Sequence, residues 1–227
     1  MFTPEQVKPF ITHADPLVSN AAIVFLAETY NYPKDAAALV LEKLVAAPDK
    51  QDVYLHRARS FPQTPITVQA MLHLLKAGMV TGNARIFLSY MLLGSSPELL
   101  KPVLKQIQEI DEDWYEEAAQ RVRISELGDD EIRNLFNEET RKNSGLDYGD
   151  IDYDLLDFLL SELIERELLQ PRETMDELQE LYTQDPTNIR TIYLIQAASK
   201  LKIAYVLPLL YDALKSDNDL LAEQAAD

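Results

Sequence analysis

The sequence predicts an all-α protein, a right-handed solenoid of stacked antiparallel helical hairpins, and three observations carry that prediction. Apolar residues recur at three- and four-residue spacing with almost no strict alternation, which is the period of a half-buried helix and not of a strand. Cap-then-proline pairs stand at Thr3-Pro4, Asp15-Pro16, Thr64-Pro65, Ser96-Pro97 and Asp185-Pro186. The cap oxygen takes one of the orphan N–H groups of a first helical turn, and proline has no N–H to leave unsatisfied there. The punctuation also repeats: Thr64 to Ser96 and Asp185 to Asp217 are both 32 residues apart, a period in the range of stacked helical hairpins.

The elements follow in order. After Pro16 a stripe of Leu17, Val18, Ala21, Ala22, Phe25 and Leu26 predicts one helix, and Pro33 opens a second carrying Ala37, Val40, Leu41 and Leu44. A short helix is expected near Asp52 to Arg59. Val68, Met71, Leu72 and Leu75 follow Pro65, a turn is expected from Gly78 to Gly82, and Ile86, Phe87, Tyr90, Met91 and Leu93 make the partner helix. Pro97 opens a single helix through Leu99, Leu100, Val103, Leu104 and Ile107, paired with one from about Asp113 to Leu127. A polar helix begins at Gly128-Asp129-Asp130, and residues 143–150 read as a loop. Asp152 caps a helix striped with Leu155, Leu156, Leu159, Leu160, Leu163 and Ile164, with 173–182 as its partner. Asp185-Pro186 starts the next hairpin. Residues 217–227 look like the opening helix of another repeat, so self-association through the C-terminal end is a possible consequence. The expected division is one continuous stack: near-neutral hairpins over 1–127, an irregular acidic insertion over 128–152, and further hairpins over 153–227 with the last one incomplete.

The segments Asp15-Pro16-Leu17-Val18-Ser19-Asn20-Ala21-Ala22 and Asp185-Pro186-Thr187-Asn188-Ile189-Arg190 resemble the first helix of HEAT and HEAT-like repeats, in which an Asp-Pro opening precedes an Ala- and Leu-rich stripe. Asn20 stands where that family usually places Arg. The resemblance implies an extended helical scaffold that binds other proteins.

Of the 227 residues, 21 are Lys or Arg and 38 are Asp or Glu, for a net charge of −17. Position matters more than the total. Residues 1–110 hold ten basic and nine acidic side chains, whereas 111–180 hold seven and 23. Nucleic-acid binding draws on Lys and Arg to displace phosphate counterions, so the acidic region excludes a nucleic-acid surface there. The absence of Cys excludes thiolate nucleophiles and Cys-ligated metals. No stretch approaches the roughly 18 uninterrupted apolar residues of a membrane span, and the first residues lack a basic segment followed by an apolar core. A soluble cytoplasmic protein, with no membrane association and no cofactor, is the expectation.

Asp147, Asp150, Asp152 and Asp154 form the sharpest candidate metal cluster, because hard cations want closely spaced oxygens. An EF-hand loop starting at Asp150 fails at its sixth position, Leu155, and at its twelfth, Ser161, so a solvated loop with a helix cap is preferred. His13, His56 and His73 are scattered, and none has a second His at helical i, i+4 spacing. No glycine-rich elbow or phosphate loop supports nucleophilic catalysis. Trp114, Tyr115, Tyr148, Tyr153 and Phe158 sit within the acidic stretch and read first as core.

The preferred function is therefore a non-catalytic protein–protein interaction scaffold whose acidic surface receives a basic peptide or protein. The candidate contact residues are Asp111, Glu112, Asp113, Glu116, Asp129, Asp130 and Glu131. The alternatives are a HEAT-like enzyme, resembling the bilin-attaching lyases or less closely the alkylpurine DNA glycosylases, and an acidic mimic of nucleic acid. No catalytic constellation recommends either enzyme.

Overall fold

The computed structural model describes residues 2–29, 32–144, 150–203, 206–216 and 222. Every regular element among the described residues is helical. The chain divides into two compact units, Met1–Arg123 and Ile124–Asp227, slightly before the boundary expected at residue 127. No described helix is long and apolar enough to cross a membrane.

The first unit contains α1 (Pro4–Val7), α2 (Pro16–Thr29), α3 (Ala36–Ala46), α4 (Gln51–Ala58), α5 (Pro65–Lys76), α6 (Gly82–Leu93), α7 (Pro97–Leu100), α8 (Leu104–Gln108) and most of α9 (Glu112–Ser125). Several starts are built as the cap pattern predicts. The Thr3 hydroxyl accepts from Gln6 N at 3.4 Å while Gln6 Oε1 accepts from Thr3 N at 3.0 Å. Thr64 and Thr67 make the same reciprocal pair, and Asp15 Oδ1 accepts from Leu17 N at 2.9 Å. The expected single helix after Pro97 is instead interrupted by a 3-10 turn over Lys101–Val103. Pro102 lies in that turn, where it can neither donate to an α-helical ladder nor avoid the carbonyl a turn behind it.

Alternate helices of this unit meet. α2 packs against α4 and α4 against α6, while α3 packs against α5. Their apolar stripes merge into one cluster that includes Ile23, Leu26, Val40, Leu44, Tyr54, Met71, Leu88 and Leu92 and extends to Ala118 and Val122 of α9. Polar ties fix the register. The buried Gln51 amide donates to Leu44 O and Met79 O, both at 3.2 Å, and the buried Lys43 ammonium donates to His13 O at 2.6 Å. The α5–α6 turn carries Gly78 at φ 64° and Gly82 at φ 58°, a left-handed backbone that glycine adopts without steric cost.

The second unit contains α10 (Asp129–Lys142), α11 (Tyr153–Glu165), α12 (Pro171–Gln184), α13 (Ile189–Lys200) and α14 (Leu207–Ala213). Within the span expected as an irregular insertion, α10 is a regular helix whose Ile132 and Phe136 are buried. Residues 145–149 lie outside the described residues, as do 217–221 and 223–227 of the expected terminal helix. α13 is apolar on nearly every side and buries Ile189, Ile192, Tyr193, Leu194, Ile195, Ala197 and Ala198, the pattern of a helix enclosed by others. Ile189, Tyr193 and Ala197 join the cluster around Phe136 and Leu159, whereas Ile192, Ile195 and Ala198 join Met175, Leu178 and Val206. The expected start at Asp185-Pro186 is not used. Asp185 terminates α12 and turns back on Thr187, and Asn188 caps α13 by accepting from Arg190 N at 2.9 Å. Asn188 is as good a cap as Asp and stands immediately before the apolar stripe, so it wins the competition.

One helix ending recurs across both units. Met79 N donates to Leu74 O, Leu168 N to Leu163 O, and Ile203 N to Ala198 O, each one residue after a left-handed position at Gly78, Glu167 or Lys202. This bond satisfies an orphan carbonyl of the last turn.

Candidate functional site

The acidic residues expected to meet a partner are divided between the units and differ in what they do. In the first unit Asp111 is half-buried and accepts from Trp114 N at 3.4 Å. It pairs at 3.8 Å with Arg85, whose guanidinium lies 4.7 Å from the Trp114 ring centroid. Asp111 therefore ties α6 to the start of α9. Glu112, Asp113 and Glu116 are exposed on the first turns of α9, and Glu112 accepts from Gln108 at 3.1 Å.

In the second unit the acidic trio is engaged locally. Glu131 Oε2 accepts from Gly128 N at 2.8 Å, Asp129 pairs with Arg166 at 3.6 Å, and Asp130 pairs with Arg133 at 3.5 Å. All three carboxylates also sit at the N-terminal end of α10, where the helix dipole favours negative charge. Of the seven candidates, Glu112, Asp113 and Glu116 remain the exposed group least committed to holding the fold.

Of the candidate metal ligands, Asp147 lies outside the described residues. Asp152 Oδ1 caps α11 by accepting from Leu155 N at 3.0 Å, and Asp150 and Asp154 are exposed. Among the described residues no group of three or more His, Asp or Glu side chains comes together as a metal site. His13 Nδ1 accepts from Asp15 N at 3.0 Å, and the His56 ring meets Phe87 edge-on at 5.3 Å. Trp114 and Tyr115 pack on the first core, and Phe158 is buried in the second unit with Tyr153 against it.

Asp157 lies on α11 near the Tyr193 hydroxyl and Lys200. Partial desolvation raises it above the ordinary carboxylate range, and the Tyr193 hydroxyl and Lys200 pull the other way. Burial and the same Asp157 push the Tyr193 phenol up. A carboxyl raised in the folded state favours folding below its unfolded value of 3.8 and loses that contribution as pH climbs through its folded value. Asp157→Asn is accordingly expected to melt above the wild type at pH 7, with the difference vanishing below pH 4 in thermal unfolding followed across pH. An unchanged difference at both ends of the range would contradict this reading.

An open, largely apolar feature lies in the first unit between α3 and α5. It is a groove of about 290 Å³ lined by Ala38, Leu41, Glu42 and Val45 from one helix and Ile66, Thr67, Ala70, His73 and Leu74 from the other. Each helix supplies residues one, two and more turns apart on a single face, at the i, i+3, i+4, i+7 spacing or close to it. Leu41, Thr67 and Leu74 are buried and form the floor, while Val45 and Ile66 form the rims at 51% and 77% exposure. Glu42 is the only carboxylate lining it and has no cationic partner among the described residues. Nothing in the sequence singled this groove out, because its residues are those of any amphipathic helix pair. Ile66 beside the Thr64-Pro65 cap was the one visible signal, an apolar residue on the side of α5 away from Val68, Met71 and Leu75.

No protein-family model matches the chain, and neither the curated proteins nor the solved structures contain a match to it.

Proposed function

We propose that this chain is a non-catalytic interaction scaffold of the HEAT-like helical-repeat kind, and that its first unit receives the apolar face of a basic amphipathic helix in the α3–α5 groove. The groove carries the reading. Its two rims are large aliphatic side chains left in water, its floor is already dry, and seven residues of helix span about 10 Å, so a stripe at i, i+3, i+4 and i+7 on the incoming helix matches the lining. The sign of the partner's charge follows from Glu42, the one carboxylate lining the groove, and from exposed Glu112, Asp113 and Glu116 elsewhere in the same unit. The alternating contacts of α2 with α4 and α6, and of α3 with α5, support a repeating two-layer stack, as does the recurrent ending of α5, α11 and α13.

Selection of helical peptides from a random library tests the proposal. Enriched sequences are expected to combine an apolar stripe with Lys or Arg. Because Ile66 is exposed, Ile66→Asp leaves the fold intact and is expected to abolish their binding. Reversing Glu112, Asp113 and Glu116 to Lys is expected to slow association at low salt and to matter little at high salt, since exposed charges steer encounter and are screened. Recovery of no basic amphipathic sequence, or unaltered binding to Ile66→Asp, would overturn the proposal.

A further inference from the structure

Arg190, at the start of α13, lines two clefts in the second unit. One, of about 270 Å³, is lined by Arg133, Glu173, Glu177 and neighbouring residues. The other, of about 400 Å³, is lined by Asn137, Thr140, Arg141, Ser144, Leu181, Asn188 and Arg190. It contains two guanidinium groups and no carboxylate among its described lining residues, in a region that is otherwise strongly acidic. Three of its residues, Asn137, Thr140 and Arg141, are spaced i, i+3, i+4 and so share one face of α10, and Ser144 lies in the turn just past its end.

The hydrogen bonds of its walls can be oriented from groups that only donate. Arg190 donates through Nε to Glu177 at 2.5 Å, and through Nη1 to Asn137 at 2.7 Å and Thr140 at 3.2 Å. A guanidinium has no acceptor, so the Asn137 atom facing it is Oδ1, and the Asn137 amide N–H groups are turned elsewhere. Thr140 spends its own proton on Phe136 O at 2.8 Å. Asn188 Oδ1 accepts from the backbone N–H of Arg190, which leaves its Nδ2 to donate to Ser144 Oγ at 2.7 Å. Ser144 therefore accepts that bond and keeps its proton available. The acceptors of Asn137, Asn188 and Ser144 are thus engaged in the wall itself. What remains for a guest is the Asn137 amide, the Ser144 hydroxyl, the second terminal nitrogen of Arg190, and Arg141, which makes no ion pair among the described residues.

We propose that this cleft binds a small phosphate monoester, with its phosphoryl oxygens held by Arg141 and Arg190 and completed by Asn137 and Ser144. Arginine forks match phosphate oxygens in pairs, and charge-assisted bonds of this kind are about twice as strong as neutral ones. A guest larger than the ion itself is indicated by the volume, which falls in the range of about 300–1,000 Å³ typical of small-molecule sites. Glu177, bonded to Arg190 Nε at 2.5 Å, offsets part of that guanidinium's charge, so Arg141 supplies the uncompensated positive charge, and acidic residues beyond the screening length of about 8 Å oppose an anion only weakly. Phosphate here acts as a ligand; no bond is made or broken. The site belongs to the second unit and stands independently of the α3–α5 groove.

Calorimetric titration of the full chain with inorganic phosphate and with glycerol phosphate, against sodium chloride of equal ionic strength, tests the proposal. Both phosphates are expected to saturate at one site, with the ester tighter. Arg141→Gln is expected to weaken binding about tenfold or more, the factor carried by a lost hydrogen bond to a charged group, without moving Tm, since Arg141 is exposed and does no wall-building. Asn137→Asp keeps the acceptor for Arg190 but replaces the amide donor with a negative charge, so it is expected to abolish binding while Tm holds or rises. No saturable binding to the wild type, unchanged affinity in Arg141→Gln or Asn137→Asp, or an ester bound no more tightly than phosphate would each overturn it.

Discussion

Leu159→Ala is expected to lower the free energy of unfolding by about 2–5 kcal/mol, the range for truncating a fully buried leucine. Leu159 has 0% exposure and lies in the cluster formed by Phe136, Leu156, Leu163, Ile189 and Tyr193. Part of the loss is the transfer of three carbons' worth of apolar surface, and the rest is the void left when rigid neighbours fail to close in. Phe136 and Tyr193 meet edge-on at 6.3 Å, and the Arg190 guanidinium lies 5.5 Å from the Phe136 ring centroid, so the neighbours are themselves held in place. The measurement is chemical denaturation followed by far-UV circular dichroism. Fluorescence of the single Trp114 would report on the first unit. Stability equal to the wild type would show that α11 does not present this face to α10 and α13.

Arg166→Met is expected to cost about 3 kcal/mol by the same assay, for a different reason. Its guanidinium donates to Leu127 O at 2.7 Å and Ser125 O at 2.6 Å, and pairs with Glu162 at 2.9 Å. Glu162 is buried, at 8% exposure. Removing the arginine leaves two carbonyls and a carboxylate without their donor in a place where water reaches poorly, and an orphaned buried charge costs more than the intact pair was worth. Glu162→Gln together with Arg166→Met is then expected to be less damaging than the two single losses added, because the stranded charge is gone. Strict additivity in this double-mutant cycle would show that the two side chains do not interact.

How much of this was legible in the sequence depends on the range of the interaction. Caps at Thr3, Asp15, Thr64 and Asp152 were visible because a cap and its N–H partner are two or three residues apart. The failure at Asp185 was local too, since Asn188 offers a second cap three residues on and only the packed position of Ile189 decides between them. Pro102 was visible in the sequence, yet the apolar stripe through Leu99, Val103 and Ile107 continues across it and masks the break. Charge told a partial story. The acidity around residues 111–131 could be counted, but that Asp129 serves Arg166 on another helix depends on geometry that composition does not carry.

The two candidate binding features were illegible for a further reason. The stripe Asn137, Thr140 and Arg141 can be read off α10, but Asn188 and Arg190 arrive some 50 residues later and join it only through the contact between α10 and α13. In the α3–α5 groove nothing is chemically unusual; what distinguishes Val45 and Ile66 from their neighbours is that the fold leaves them uncovered.

The central claim is that the α3–α5 groove is an interaction site, and methyl NMR locates binding most directly. A basic amphipathic peptide from the library selection is titrated into the chain with labelled Ile, Leu and Val methyls. Saturable shifts confined to Leu41, Val45, Ile66 and Leu74, lost in Ile66→Asp, are the predicted result. Shifts at other methyls with these four unmoved would contradict it.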